Sequence, residues 1–389
     1  MGSIGSVMRW LVPAICSLLC SWSVAPRAVA QSQSQLADRA FWQSKEGQAI
    51  AEARGAWSSP SKLPSKWSAD WKKSSEQQRA FLICVSKELE NQVRFNAAVG
   101  ALRLHYAIAA CQMGLELQTE AQGYVEDQMA VQEELIELGG RVDDTTALKR
   151  SAIDLQDRKL ELESQLSQLR EKLSLLVGSE LACSYRSHLM CAPTPDLHER
   201  CEYETWAIDQ RIELLVLRYA RGHLELLNDE GIELVSALSS FPGGLQSLWG
   251  PVERPSLFGH KPSADQLAKR SRGLDRWIAT RSDQILVEIG AAYTSKATAW
   301  ERWRLAVKKS DTIAERFERL QELADLQGNL TQQVQVKLEY YQARAQEIER
   351  WLEWHQADCD LQQATGRIGF WNLESAACVP LADSSVKDE

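Results

Sequence analysis

The two halves of this chain carry the same punctuation at one constant offset, 188 in the numbering. Ser75-Glu76-Gln77-Gln78 and Ser263-Ala264-Asp265-Gln266 both read Ser-x-x-Gln. In that pattern a hydroxyl and an amide satisfy orphan backbone N–H groups at a helix start. Each is followed by a long stretch without Pro, ending at Leu138-Gly139-Gly140 and at Leu326-Gln327-Gly328. A shorter helical stretch then closes at Gly178 and at Gly366. The interval from Ser75 to Gly140 equals that from Ser263 to Gly328, and the interval from Gly140 to Gly178 equals that from Gly328 to Gly366. A single Gly after a helix is common. Three landmarks at one offset point to an internal duplication.

Helices of that length limit the fold. At 1.5 Å per residue, a 64-residue helix is about 95 Å long. A rod of that length hides its apolar face only by lying beside other rods. After the first hairpin tip, Leu148, Leu155, Leu162, Leu169 and Leu176 recur every seven residues, with Ala152, Leu166 and Leu173 on the adjoining row. Lys159 interrupts that row, which argues against a sealed two-stranded zipper. The equivalent positions of the second copy are Val336, Ala343, Arg350, Ala357 and Ala364. They are smaller and more polar, so the two hairpins are expected to pack against different surfaces. Further helices are expected before each hairpin, at about 36–56 and 203–238. Breaker-rich connectors follow them at 57–74, with Pro60 and Pro64, and at 241–262, with Pro242, Gly243, Gly244, Pro251 and Pro255. The expected class is all-α: long antiparallel coiled-coil hairpins in two internal repeats, spanning 31–182 and 183–389, with a tail at 367–389.

Composition agrees. The chain has 389 residues, 44% apolar and 25% charged, which excludes a disordered polymer. Its net charge of −9 leaves no basic face for a nucleic acid. Only 7% is aromatic, and alternating β-branched runs are few, so an all-β fold is not expected. Catalytic constellations are missing: there is no phosphate-binding loop, no Gly-x-Ser-x-Gly and no His-Glu-x-x-His. The six His are scattered, His105 and His355 among them. The chain reads as a non-enzyme without cofactor or resident metal.

Residues 1–30 read as a cleaved export signal. One charge at Arg9 precedes an apolar stretch from Trp10 to Ala25, and Ala28-Val29-Ala30 offers the small-x-small cleavage pattern. Cleavage would leave a mature chain beginning at Gln31, in an oxidising compartment. Seven Cys remain, an odd number. Cys111, Cys183, Cys191, Cys201, Cys359 and Cys378 are candidates for disulfides. Cys84 and Cys111 lie on one expected helix, about 40 Å apart by helical rise, and cannot bond to each other. Cys183, His188, Cys191, His198 and Cys201 contain His-x-x-Cys twice, which is compatible with a zinc site, disulfides or free thiols. Cys111 precedes Gly140 by nearly the same interval as Cys359 follows Gly328. Equal heights would allow a bridge between copies or subunits.

Two copies of helix, insert, very long helix, tip and closing helix, behind an export signal, resemble the TolC family of outer-membrane efflux ducts. Ala97-Ala98-x-x-Ala101-Leu102 through Tyr106 is similar to the family's long-helix text. Leu162 to Gly178 is similar to its closing segment. The resemblance covers residues 90 to 366. It implies a homotrimer forming a tapered helical barrel, a passive conduit fed by an inner-membrane pump. It also implies hairpin tips that dock on a periplasmic membrane fusion (adaptor) protein. Those tips are Gly140-Arg141-Val142 and Gly328-Asn329-Leu330, each placing an aliphatic residue at an exposed turn. Acidic residues that ring the channel past the second tip in some relatives are replaced here by Gln332, Gln333, Val334, Gln335 and Lys337. The connectors are another departure. Two membrane-spanning strands and a turn need about 22 residues or more. The first connector, 57–74, is shorter than that and holds two Pro; the second, 241–262, only just reaches it and is crowded with breakers. The family's membrane barrel is therefore expected to be lost or vestigial, and contact with the outer membrane peripheral or through a partner. Trp57, Trp67, Trp71 and Trp249 in these connectors suit either a bilayer interface or a cap over the barrel end. The rival reading is an exported coiled-coil scaffold that kept the hairpins and lost transport.

Overall fold

The structure is a computed structural model that describes residues 39–40, 42–44, 47–48, 51–52, 69–138, 146–177, 193, 198–226, 263–327 and 330–366. Within these, the side chains of 69–79, 81–82, 86, 89, 323–327 and 330–331 lie outside the description. Six helices make up nearly all of it: α1 Ala69–Glu137, α2 Thr146–Val177, α3 Arg200–Gln210, α4 Ile212–Gly222, α5 Ala264–Gln327 and α6 Leu330–Thr365. A short 3-10 turn, Leu224–Leu226, follows α4. There is no strand among the described residues. No described helix is long and apolar enough to cross a membrane.

α1 has 69 residues and α5 has 64, so each is roughly 100 Å long. Each folds back on its closing helix, α1 on α2 and α5 on α6, and α6 also packs on α1. The long helices thus run in the order α2, α1, α6, α5 as one layer. α3 and α4 strap across it, packing on α5, α6 and α1.

Residue size sets that order. Ala101, Ile108 and Cys111 of α1 close on Leu166, Leu173 and Val177 of α2. Gly114 lets the pair approach, because a Cβ there would stand 3.2 Å from Leu162 Cδ1. α6 is buried from both sides. Its small residues Val336, Ala343 and Ala357 are at most 4% exposed. Between them Trp351 meets Ala109, Ala110 and Trp303, and Trp354 meets Ala299. The expectation that the hairpins use different partners holds: α2 packs on one of the other long helices and α6 on two.

Local signals at the helix starts hold at one site and fail at the other. At Ser263 the capping box forms: Ser263 N–H donates to Gln266 Oε1 at 2.9 Å, and Gln266 N–H donates to Ser263 Oγ at 3.3 Å. At Ser75 it does not start the helix, which already runs from Ala69. No Pro or Gly stands between Pro64 and Ser75, so helix propagation overrides the cap. The expected continuous helix over 203–238 is instead broken at Arg211, whose φ and ψ are −66° and 127°. Residues 227–238 of that stretch lie outside the description, as do the connectors apart from 69–74, the 182/183 boundary and the export segment.

Candidate duct wall and hairpin ends

The surfaces of the layer define the candidate site. Its two outer helices each turn an apolar row away from the chain. On α2, Ile153, Leu160 and Leu175 stand opposite the buried row of Leu148, Leu155, Leu166 and Leu173. On α5, Val287 and Leu305 stand opposite Ile285, Ile289 and Trp303. Val287 is 72% exposed and Leu175 is 76% exposed. A layer with uncovered rows on both flanks invites a neighbour on each side.

Several polar groups inside the layer are paired where helices cross. Ser310 Oγ donates to Glu347 Oε2 at 2.9 Å, and Arg344 Nη1 donates to the same oxygen at 2.7 Å. Lys296 Nζ meets Asp358 Oδ1 at 2.7 Å and lies 5.4 Å from the centre of the Trp354 ring. Arg103 of α1 reaches Asp360 and Gln363 of α6. Tyr106 stacks on His355 with ring centres 4.0 Å apart. The neighbouring His105 is buried, and that desolvation holds its pKa down to about 4. This aromatic belt (Tyr106, Trp300, Trp303, Trp351, Trp354, His355) is absent from the sequence reading. Two pairs of Trp three residues apart, 300/303 and 351/354, are its signal in the sequence.

At the hairpin end Lys337 Nζ lies 4.6 Å from the Phe317 ring centre, 4.8 Å from Tyr340 and 5.2 Å from Tyr341. Burial lowers its pKa, and Glu120 of α1 works the other way. Tyr341 packs near Tyr124, and burial raises its phenol to about 12. In the sequence Lys337 stands out only as a replacement for an acid; the structure places it as a clip between α5 and α6.

Of the tip residues, Gly140, Arg141, Val142, Gly328 and Asn329 lie outside the description, and Leu330 begins α6. The last turns of α1 leading to the first tip are exposed, with Leu138 at 84%. Among the cysteines, Cys183, Cys191 and Cys378 lie outside the description. Cys111, Cys359, Cys84 and Cys201 are free thiols. Cys111 packs with the α2 leucines, whereas Cys359 packs on Phe95, Val99 and Leu102. The structure therefore does not bring Cys111 and Cys359 together. They sit about 13 Å apart along α1, because α6 is staggered relative to α1. His198 Nδ1 faces Glu202 at 2.9 Å. No metal-binding cluster of His, Cys, Asp or Glu occurs among the described residues.

In sequence the chain matches no protein-family model and none of the curated proteins. In structure it is similar to outer membrane channels. It superposes on the outer membrane protein VceC of Vibrio cholerae with a TM-score of 0.57 at 14% identity, covering 86% of this chain and 96% of that one. On the open state of the MtrE outer membrane channel of Neisseria gonorrhoeae the TM-score is 0.60 at 10% identity, covering 86% and 88%. On the CmeC outer membrane channel of Campylobacter jejuni it is 0.54 at 9% identity, covering 87% and 85%. At these identities the likeness establishes the fold, and the TolC-like helical architecture that the resemblance implies is the one observed.

Proposed function

We propose that this chain is one protomer of a closed helical duct, a passive conduit in a multi-component efflux or secretion system. Three copies would close the barrel, with α2 of one protomer lying against α5 of the next. The observation that carries this reading is the pair of uncovered apolar rows: Ile153, Leu160 and Leu175 on one flank, Val287 and Leu305 on the other. Different faces on opposite edges make a head-to-tail contact, and such contacts generate rings when the rotation closes. The fold shared with outer membrane channels supports the same reading.

In this reading the chain performs no chemistry. Energy comes from an inner-membrane pump, and the hairpin ends around Gly140-Arg141-Val142 and Gly328-Asn329-Leu330 meet a periplasmic adaptor. The protein acts in the periplasm or at the outer membrane after loss of its export segment, and its two repeats divide at 182/183.

The test is mass in solution. The mature chain should run as a species three times its own mass. Ile153→Arg and Val287→Arg should each give monomers with unchanged helical circular dichroism, since both side chains lie on an exposed flank. Wild-type protein that is monomeric at tens of micromolar, or trimers that survive both changes, would refute the ring.

A further inference from the structure

Lys296 of α5 pairs with Asp358 of α6, and Arg103 of α1 pairs with Asp360, so Lys296 and Arg103 stand at nearly one height in the layer. Rising numbers on α1 meet falling numbers on α6, Arg103 with Asp360 and Tyr124 near Tyr341. The same holds for α5, with Lys296 on Asp358 and Arg316 on Glu339, so α1 and α5 run parallel. Val287 precedes Lys296 by nine residues, and Arg94 precedes Arg103 by nine. Val287 and Arg94 are therefore level, each about 13 Å nearer the connector end.

α2 stops below that height. Its Leu162 meets Gly114 of α1, and Leu175, its last exposed large apolar side chain, stands thirteen residues further on. Leu175 is thus level with Ala101, about 10 Å short of Arg94. By the same count Leu160 is level with Lys309 of α5, one helical turn from Leu305. A closed ring rotates copies without lifting them, so heights within one chain are also heights between chains. Leu160 of one copy then faces the Leu305 turn of the next, whereas Val287, 72% exposed, lies beyond the end of α2.

Trp42 stands at the height of Val287. Its segment is helical: Ser44 N–H donates to the Ala40 carbonyl and Gln48 N–H to the Ser44 carbonyl, both at 3.1 Å. Ala40 is fully buried among Ala101, Ile108, Leu173 and Val177, so the segment continues the column where α2 stops. Two residues later, on the other side of that turn, Trp42 is 51% exposed, with its ring 5.5 Å from the Arg94 guanidinium. Arg94 is itself held by the buried Glu90. The second repeat fills the equivalent position from within the chain. Beyond the end of α6, α4 fits between α1 and α5, with Val216 and Leu217 meeting Val85 and Leu274. The segment around Trp42 has α1 on one side, and its own chain supplies no long helix on the other.

We infer that α5 of a second copy is that missing wall, with Trp42 packed on it at Val287. The inference rests on the duct reading and adds to it: the N-terminal segment, and not α2 alone, makes the seam between copies. Trp42 suits an anchor, because its ring is large, half-exposed and already oriented by Arg94.

The experiment uses the full mature chain, with mass in solution read first. Trp42→Cys combined with Val287→Cys is oxidised mildly, and bridges are identified by peptide mass spectrometry. A 42–287 bridge between chains is expected, with a denatured ladder ending at three chains. Trp42→Cys combined with Leu305→Cys should give no such bridge, since Leu305 lies about 27 Å from Val287 along α5. Hydroxyl-radical footprinting needs no substitution. Trp42 should be oxidised at least fivefold more slowly in the wild-type trimer than in protein diluted to monomer. Trp42→Ser should raise the concentration of half-dissociation tenfold or more, with helical circular dichroism unchanged. Trimers whose Trp42 is oxidised at the monomer rate, or which bridge 42 to 305 and not to 287, overturn the inference and leave the ring standing. Wild-type chains that stay monomeric at tens of micromolar sink the ring, and this contact with it.

Discussion

Arg211 Nη1 donates a hydrogen bond to the carbonyl oxygen of Ala364 at 3.1 Å, tying the break between α3 and α4 to the last turn of α6. The last carbonyls of a helix have no donor of their own, and they carry partial negative charge. The same guanidinium pairs with Glu213 at 2.5 Å and with Glu288, while Arg281 reaches Glu213 at 3.1 Å. Burial opposes the charge on Arg211, but Glu213 and Glu288 more than offset it, and its pKa rises. Burial likewise opposes the charge on Glu213, and the two arginines reverse that and lower its pKa.

Arg211→Ala should therefore be among the costly single changes. It leaves Glu213, 8% exposed, short of its main counter-charge. The expected loss is about 3–5 kcal/mol in a urea titration. Adding Glu213→Leu should recover much of it, because the stranded charge is then gone. A loss under about 1 kcal/mol for Arg211→Ala would show that the break is held by something else.

Gly366 is locked to glycine by its backbone and by the same arginine. Its φ of 64° lies in the left-handed region, and a Cβ there would stand 3.0 Å from Arg211 Cγ. Its N–H donates to the carbonyl of Gln363 at 3.3 Å, closing α6. Gly366→Ala should cost about 1–2 kcal/mol from backbone strain alone. A lower thermal midpoint with unchanged helical content is the expected reading.

The ending of α6 can be read in the sequence, and the pin that holds it cannot. Gly366 announces itself by position, as does Ser263 with its Gln three residues on, because caps are local chemistry. The stripe of Leu148, Leu155, Leu166 and Leu173 is legible for the same reason: helical periodicity reports which face is buried. Arg211 gives no sign, since its partners Glu288 and Ala364 lie 77 and 153 residues away. The stagger that separates Cys111 from Cys359 is also hidden. Counting residues from each tip assumes tips at one level, whereas the register is set by the packing of α6 on α1, as where Tyr106 stacks on His355 and Phe95 packs with Cys359.

Acid should weaken the fold through His105. Burial holds its pKa down to about 4, against an ordinary 6.5. Between those values the unfolded chain binds a proton that the folded chain refuses, so stability falls as pH drops from 6.5 to 4 and is fully present above that window. The full effect is on the order of 3 kcal/mol. Urea midpoints at pH 7.0 and 5.0 should differ in the wild type, and His105→Gln should flatten the difference. An equally steep dependence in His105→Gln would assign the acid sensitivity to other groups.

Thiol reactivity should separate the cysteines by their packing. Cys201 is exposed, whereas Cys359 is 1% exposed and Cys111 is 8% exposed. The thiolate is the reacting form. Burial, with Asp358 nearby, pushes the Cys359 thiol up to about 12, only partly countered by Arg103. Burial also raises Cys111. With a maleimide at pH 7.5, peptide mapping should find Cys201 modified within minutes. Cys111 and Cys359 should stay unmodified until denaturant is added. Native-state labelling of Cys359 at the rate of Cys201 would mean that α6 does not rest on Phe95 and Val99. The layer order α2, α1, α6, α5, from which the open flanks are deduced, would then fail with it.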